Sequence, residues 1–588
     1  MNKFLRINLS SGEISTGNIK EEYVKEYIGG KGLGLRLLID EITNADAFSP
    51  ENPLIFVTGP LTGSLVQTSA RSTVVTKSPL TNGFLDSHAG GYFGPKLKGS
   101  GYDYVIINGK ARKPVYLHIT PEGCKIKDAT FLWGKGIFET EKKLKEIHPK
   151  SKVASIGPAG EKKVLYACIG TELYRQFGRG GAGAVMGSKN LKAVVVEGNN
   201  KIKYNNEKEF RRLNKLLTLD IKNHPNAKKR YDLGTMMWIR MGQEIGKFLP
   251  TKNYQKGTFK DYEKITAENM KKVLKWKSVG CYNCVIKCAK FAKWNGYELE
   301  GPEYETTAFL GSGCEINNPE VIAKANWLCD NLGLDTISCG VTVSFAMECY
   351  EKGLLKETDG LKLNFGNGDA LLKLIEKIGY RKGIGDLFSL GTKRASEIIG
   401  QGSEYFAIQT AGMEISGVNI KGAMSMGLVM ATSDFASHTR LWSATDEMYG
   451  NIKLDDVPEY VMNGQDEINA RNSLVVCDFL PFGFDRLIPV LNQATGFNFT
   501  EKSIMKVGER IFNLARLFNI KNGRTKKDDI IPDRFLKEKM TAGILKGKIM
   551  TKEFFIKLLE KYYKLRGWNN EGIPENRKLK DLNILNLI

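Results

Sequence analysis

No stretch of this 588-residue chain approaches the roughly 18 consecutive apolar residues that a membrane-spanning helix needs, so a helical membrane protein is excluded. The opening residues, MNKFLRINLSSGEIS, alternate apolar and polar side chains as a strand does. They lack the apolar core and cleavage site of a signal peptide, and the expected location is the cytoplasm. Cysteine is scarce, with ten residues. That is far below the density of a disulfide scaffold, so cysteines that cluster read as metal ligands or redox groups in a reducing compartment. There is no internal repeat, no low-complexity tract and no long run of like charge. Charge is nevertheless unbalanced, with 86 Lys plus Arg against 65 Asp plus Glu, a net +21. Scattered lysines fit a solvated surface, and the excess also suits an acidic partner or an anionic cofactor. The aromatic and basic pattern does not recommend nucleic acid.

What is present is enough chain for several structural units. Residues 1–199 read as β-rich, with short runs such as Leu54–Thr58, Tyr104–Asn108, Val115–Ile119 and Ala193–Glu197 broken by Gly and Pro, and helices at Gly34–Asp40 and Phe138–His148. After Gly198 the texture turns to helical periodicity, as in Pro319–Leu332 and Thr342–Lys352. The expected class is α+β: a β-rich, cofactor-cradling domain over 1–199, then two mainly helical domains over 200–402 and 403–588.

Cys281-Tyr-Asn-Cys284-Val-Ile-Lys-Cys288 has the form C-x2-C-x3-C, predicted to bring three thiolates together from a turn and a helical start. Thiolates suit zinc and iron–sulfur clusters alike. Zinc sites usually pair two close couples, and no second Cys or His couple follows here, which favours a [4Fe–4S] cluster. A fourth ligand is then needed. Cys314, Cys329, Cys339, Cys349 and Cys477 are all candidates, with Cys329, Cys339 and Cys349 in apolar helical surroundings; Cys124 and Cys168 read as packing. Two glycine-rich segments, 87–94 and 174–183, look like anion cradles in which backbone amides approach a phosphate and arginines supply forks. Neither fits the P-loop or the dinucleotide fingerprint, and each reads equally as a tight turn.

Taken together, these segments with Gly59-Pro-Leu-Thr-Gly63, Val75–Thr81, Ala154–Glu161, Gly301-Pro-Glu-Tyr-Glu305, Asp330-Asn-Leu-Gly-Leu-Asp335 and Tyr562–Trp568 resemble the aldehyde:ferredoxin oxidoreductase family, from end to end of the chain. The resemblance implies a tungsten or molybdenum bis-molybdopterin centre beside a [4Fe–4S] cluster. It implies that Arg71, His88, Gly90, Arg175, Gln176, Gly178 and Arg179 surround the pterin phosphates and a bridging magnesium ion. His88 and Gln176 stand where better-known members have Asn and Ala. The Asp330–Asp335 motif, with Leu334, would hydrogen-bond one pterin ring, and Arg440 would sit near a pterin. The second pterin motif, usually Asp-x-x-Gly-Leu-Cys, reads Asn472-Ser-Leu-Val475-Val476-Cys477 here. The resemblance thus makes Cys477 the fourth cluster ligand and puts Asn472 and Val476 at the second pterin, with Asn and Val475 replacing Asp and Gly. Glu305 and His438 fall beside the metal as catalytic residues. A Glu-x-x-His pair that binds iron between subunits in some members is replaced by Lys324-Ala-Asn-Trp327, so that iron is not expected, and a homo-oligomer stays open.

The implied activity is oxidation of a small aldehyde to a carboxylic acid, with electrons passing through the cluster to ferredoxin or to an iron–sulfur subunit. The alternatives are a related low-potential reductase, for example of an aromatic acyl-CoA, and, more remotely, a basic zinc protein that binds nucleic acid.

Overall fold

In the computed structural model, residues 3–42, 45–541 and 546–588 are described. The alternating runs of the N-terminal third form two six-stranded sheets. The first comprises β1 (Lys3–Asn8), β2 (Ile14–Asn18), β3 (Leu54–Val57), β4 (Ser72–Lys77), β5 (Phe84–Ala89) and β6 (Tyr104–Asn108), in the order β2-β1-β6-β3-β4-β5. The second comprises β7 (Val115–Thr120), β8 (Gly123–Asp128), β9 (Lys152–Ser155), β10 (Ile169–Thr171), β11 (Arg175–Phe177) and β12 (Leu191–Val196), in the order β11-β10-β9-β12-β7-β8. Among the described residues only the β1/β6 and β12/β7 pairings are parallel.

β3 shows how the first sheet divides the interior. Its residues are all buried, and the two-residue pleat sends them to opposite faces. Leu54 and Phe56 enter the large core shared with the second sheet. Ile55 and Val57 enter a separate core with the helices Gly30–Glu41 and Glu501–Lys521. The sheet is therefore clamped between the second sheet and helices that come from both ends of the chain.

Beyond residue 200 the chain is mainly helical, as expected, and local chemistry sets the helix ends. Helix Pro319–Leu332 starts with Asn318 accepting from the Glu320 amide and Pro at its first turn, and stops at Gly333 in the left-handed conformation. Two residues later Asp335 caps Thr336–Glu351, a helix that begins a turn and a half before the Thr342 read from periodicity. This half also contains a small sheet that the sequence reading passed over: β13 (Lys277–Val279), β14 (Ala289–Trp294) and β15 (Tyr297–Glu300). Its strands are too short and too rich in lysine and glutamate for alternation to stand out. Among the described residues no helix is long and apolar enough to cross a membrane.

Candidate active site

The connection from β13 to β14 carries Cys281, Cys284 and Cys288. It is a loop throughout, so the helical start expected there is corrected. Asn283 and Lys287 take left-handed φ of 48° and 45°, which turns the chain back between successive cysteines, and all three border the same cavity. The loop is pinned to the first domain, with the Tyr282 amide donating to Gly91 O at 3.0 Å and the Val285 amide to Gln67 Oε1 at 2.9 Å. Cys477 arrives from the far end of the chain, just beyond helix Val457–Leu474, and its amide donates to Thr68 O at 3.0 Å. All four cysteines border one cavity of about 820 Å³. Cys168, Cys314, Cys329, Cys339 and Cys349 are buried away from its wall, and Cys124 is half-buried.

Val475 caps helix Val457–Leu474 with a left-handed φ of 59°, a conformation natural to the glycine it replaces and costly for a β-branched side chain. Two close approaches hold it. A Cβ at Gly59 would meet Val475 Cγ2 at 2.7 Å, and one at Gly30 would run into the Asn472 carbonyl. Only glycine at these two positions lets the helix end come near enough to deliver Cys477.

The donor set fits a polynuclear cluster better than one ion. A zinc ion with Zn–S near 2.3 Å draws its sulfurs to within about 4 Å of one another. Among the described residues, no three of these cysteines bring their sulfurs within 4.8 Å. Burial pushes the Cys477 thiol up to about 12 and raises Cys284 and Cys288, so metal binding must displace their protons. Two guanidinium groups stand ready to balance the thiolates. Burial works to lower Arg71, but Cys477 and Asp478 outweigh it and raise it; Arg175, also desolvated, is raised by Cys281 and Glu300. Arg71 pairs with Asp478 at 2.8 Å and Arg175 with Glu300 at 2.5 Å.

Glu305 and His438 line the same cavity. Glu305 lies in the first turn of helix Tyr304–Leu310, and its Oε2 accepts the Gly417 N–H at 2.8 Å. Its Oε1 is 3.1 Å from His438 Nδ1, yet neither atom has an aligned hydrogen-bond partner although both are buried. His438 is itself fixed by its amide, which donates to Ser416 Oγ at 2.7 Å. Two buried polar atoms left unsatisfied at a cavity wall are poised for a third group to bind between them.

Arg71, Gly90, Arg175, Gln176, Gly178, Arg179, Asp330, Leu334 and Asp335 also line the cavity. A Cβ at Gly90 would press on Cys281 Sγ at 2.8 Å, and one at Gly178 would meet nothing, so the first glycine admits the cysteine loop and the second leaves room for a ligand. Asp330 is raised well above the carboxylate range by burial while it accepts from Gln176 and Asn326, each at 3.0 Å. Asp335 is held at one oxygen as a helix cap and at the other by Arg179 at 3.2 Å.

Four other candidates are not on that wall. Asn472 and Val476 are buried behind it, Asn472 with an unsatisfied Nδ2. His88 donates from Nε2 to Asp86 (2.8 Å) and shares a hydrogen bond at Nδ1 with the Thr73 hydroxyl (3.0 Å). Arg440 stacks 3.8 Å from the Phe435 ring centre and pairs with Asp434 at 2.8 Å and with Asp86. Lys31 completes this buried network, 2.8 Å from Asp434 and 3.5 Å from Asp86. Burial alone would raise Asp86, but Arg440, Lys31 and His88 hold it well below the usual range. The network ties helix Gly30–Glu41, β5 and the loop carrying His438 into one piece.

The family description "Aldehyde ferredoxin oxidoreductase, N-terminal domain" matches residues 4–198, and "Aldehyde ferredoxin oxidoreductase, domains 2 & 3" matches residues 212–584. The chain belongs to the aldehyde ferredoxin oxidoreductase family. Among curated members, the tungsten-containing aldehyde ferredoxin oxidoreductase of Pyrococcus furiosus is 39% identical over 604 residues, covering 99% of this chain and 98% of that protein. The aliphatic sulfonate oxidoreductase, WOR-like subunit, of the same organism is 32% identical, covering 99% and 96%. Among solved structures, a chain of the active-site complex BamBC of benzoyl coenzyme A reductase, in complex with 1,5 dienoyl-CoA, superposes with a TM-score of 0.88 at 26% identity over 100% of this chain and 97% of that one. As an oxidoreductase of this family, the protein also presents wall residues that the sequence reading passed over. These include Trp238 and Trp442, their ring centres 4.9 Å apart, with Arg230 and Arg471. They are scattered over 240 positions without a motif, so only the fold brings them together.

Proposed function

We propose that this enzyme carries a tungsten bis-pterin centre beside a [4Fe–4S] cluster and oxidises an aldehyde to its carboxylic acid. Water supplies the oxygen, two protons are released and two electrons leave for ferredoxin. The observation that carries this reading is the meeting of four cysteines and the unsatisfied Glu305–His438 pair on one cavity wall. The names of the aldehyde-oxidising relatives support it, and their tungsten favours tungsten over molybdenum.

Cys281, Cys284, Cys288 and Cys477 would hold the cluster. Arg71, Gly90, Arg175, Gln176, Gly178 and Arg179 would receive the pterin phosphates and their magnesium, with guanidinium forks matched to phosphate oxygens. Asp330 and Asp335, beside Leu334, suit the N–H groups of a pterin ring. His88, with its ring engaged elsewhere, would contribute its backbone carbonyl. Arg440, Asn472 and Val476 would act from behind the wall, setting the position of groups in front of them. When bound, the metal–pterin would supply a two-electron acceptor and the cluster a one-electron relay. Glu305 Oε1 positions a water and takes its proton, sharing it with His438 Nδ1, while the imidazole orients the aldehyde oxygen. We place the enzyme in the cytoplasm, where a low-potential acceptor is at hand.

Anaerobic dye reduction with a panel of aldehydes tests the substrate class, and turnover is expected with at least one. A second reading, reduction of an aromatic acyl-CoA, is favoured by the superposition on the benzoyl coenzyme A reductase complex. Activity on an acyl-CoA with none on aldehydes would replace the first reading with the second.

A further inference from the structure

A second cluster of ligating side chains lies on the opposite sheet, outside the cavity. On β7, Tyr116 and His118 are two residues apart and so share a face. Parallel β12 pairs Val195 with His118, and Glu197, one residue past its end, returns to that same face. Helix Ile137–Ile147 covers it, burying Leu144 against Tyr116, Ala193 and Val195, and the residue that ends the helix is His148. Strand pleat and helix length thus bring together three residues that the sequence keeps far apart.

Their geometry is that of a ligand set. His118 Nε2 is 2.9 Å and His148 Nδ1 3.7 Å from Glu197 Oε1, and all three donor atoms lie within 4.8 Å of one another. The imidazole rings lie 3.9 Å apart at 33°, an arrangement that favours at most one positive charge. The Tyr116 hydroxyl is 3.2 Å from His148 Nε2. If that nitrogen carries the proton, Nδ1 is left as an unprotonated donor facing the carboxylate, which is the tautomer a metal requires. Glu197 and His118 remain partly exposed, giving an ion a way in and room for a water.

We propose that His118, His148 and Glu197 bind a divalent transition-metal ion of the zinc class, with water completing four-coordination. Two imidazoles, one carboxylate and an open position suit zinc, whose bonds of about 2.0–2.2 Å to nitrogen and oxygen match this spacing. The ion would fasten the end of helix Ile137–Ile147 to β7 and β12, a role independent of the redox centre.

The test is calorimetric titration of zinc into anaerobically purified, EDTA-treated enzyme with its iron retained. Wild type is expected to take up one tight equivalent and to melt at higher temperature with zinc than with EDTA. His118→Ala and Glu197→Gln are each expected to weaken that binding about 10-fold or more, with iron content unchanged. Should His118→Ala melt early even in EDTA, the nearly isosteric Glu197→Gln decides alone. Absence of a tight zinc equivalent in wild type, or undiminished binding in Glu197→Gln, would overturn the proposal and leave a plain hydrogen-bonded trio.

Discussion

At the scale of single residues, the chemistry rests on Glu305 and on the turn at Val475. Glu305→Gln keeps the shape and the Gly417 contact but removes the base, so kcat with aldehyde is expected to fall about 10²–10⁴-fold, the usual worth of a positioned base. Iron content should not change. A variant within threefold of wild type would remove Glu305 from the mechanism. Val475→Gly poses a contest of magnitudes. Relief of the left-handed strain returns about 1–2 kcal/mol, while lost burial costs about 1.5–3 kcal/mol and added chain freedom up to about 1 kcal/mol. The variant is therefore expected to be less stable by about 1 kcal/mol in urea unfolding, and a stabilised variant would show that strain dominates. The cysteine trio was legible from spacing alone, because a loop that turns between ligands needs only near neighbours. Cys477 was not, since it lies 189 positions beyond Cys288 and only the resemblance selected it among five.

At the scale of elements, helices are locked together by buried charge that sequence periodicity does not reveal. Helix Val457–Leu474 presents Asp466 to Arg566 at the end of helix Lys552–Arg566, 2.5 Å away, and Arg566 lies 4.0 Å from the Phe512 ring centre. Burial outweighs that partner and raises Asp466 from its ordinary 3.8 to about 6. A folded-state value above the unfolded one gives stability that is full below 3.8 and is lost as pH rises through about 6. Asp466→Asn cannot lose it. The stability of the variant relative to wild type is thus expected to rise by about 3 kcal/mol from acid to neutral pH, and parallel pH profiles would contradict this. The same long-range logic hid the Lys31–Asp86–Asp434–Arg440 network, which joins the first hundred residues to residues 434–440. It also hid the three-stranded sheet that carries the cysteine loop. Strong caps such as Asn318, Gly333 and Asp335, by contrast, sit beside the helices they delimit.

At the scale of the whole molecule, the net charge of +21 meets a proposed acceptor that is acidic. Electrostatic steering predicts that the second-order rate with ferredoxin falls steeply between low and physiological salt, while the rate with a neutral dye does not. Equal salt dependence for the two acceptors would remove steering from the account. The α+β class and the change of texture after residue 199 were readable because pleat and helical periods differ over long windows. The architecture that joins the two halves was not readable, since it depends on strands such as β3 feeding two cores and on a C-terminal segment returning to Thr68. The central claim is that Cys477 closes a four-cysteine cluster beside a tungsten–pterin centre. Iron and tungsten analysis of anaerobically purified wild type and Cys477→Ser tests it most directly. The account predicts about four irons per chain with tungsten in wild type and a marked loss of iron in the variant. A wild type without tungsten, or a variant that keeps its full iron, would contradict it.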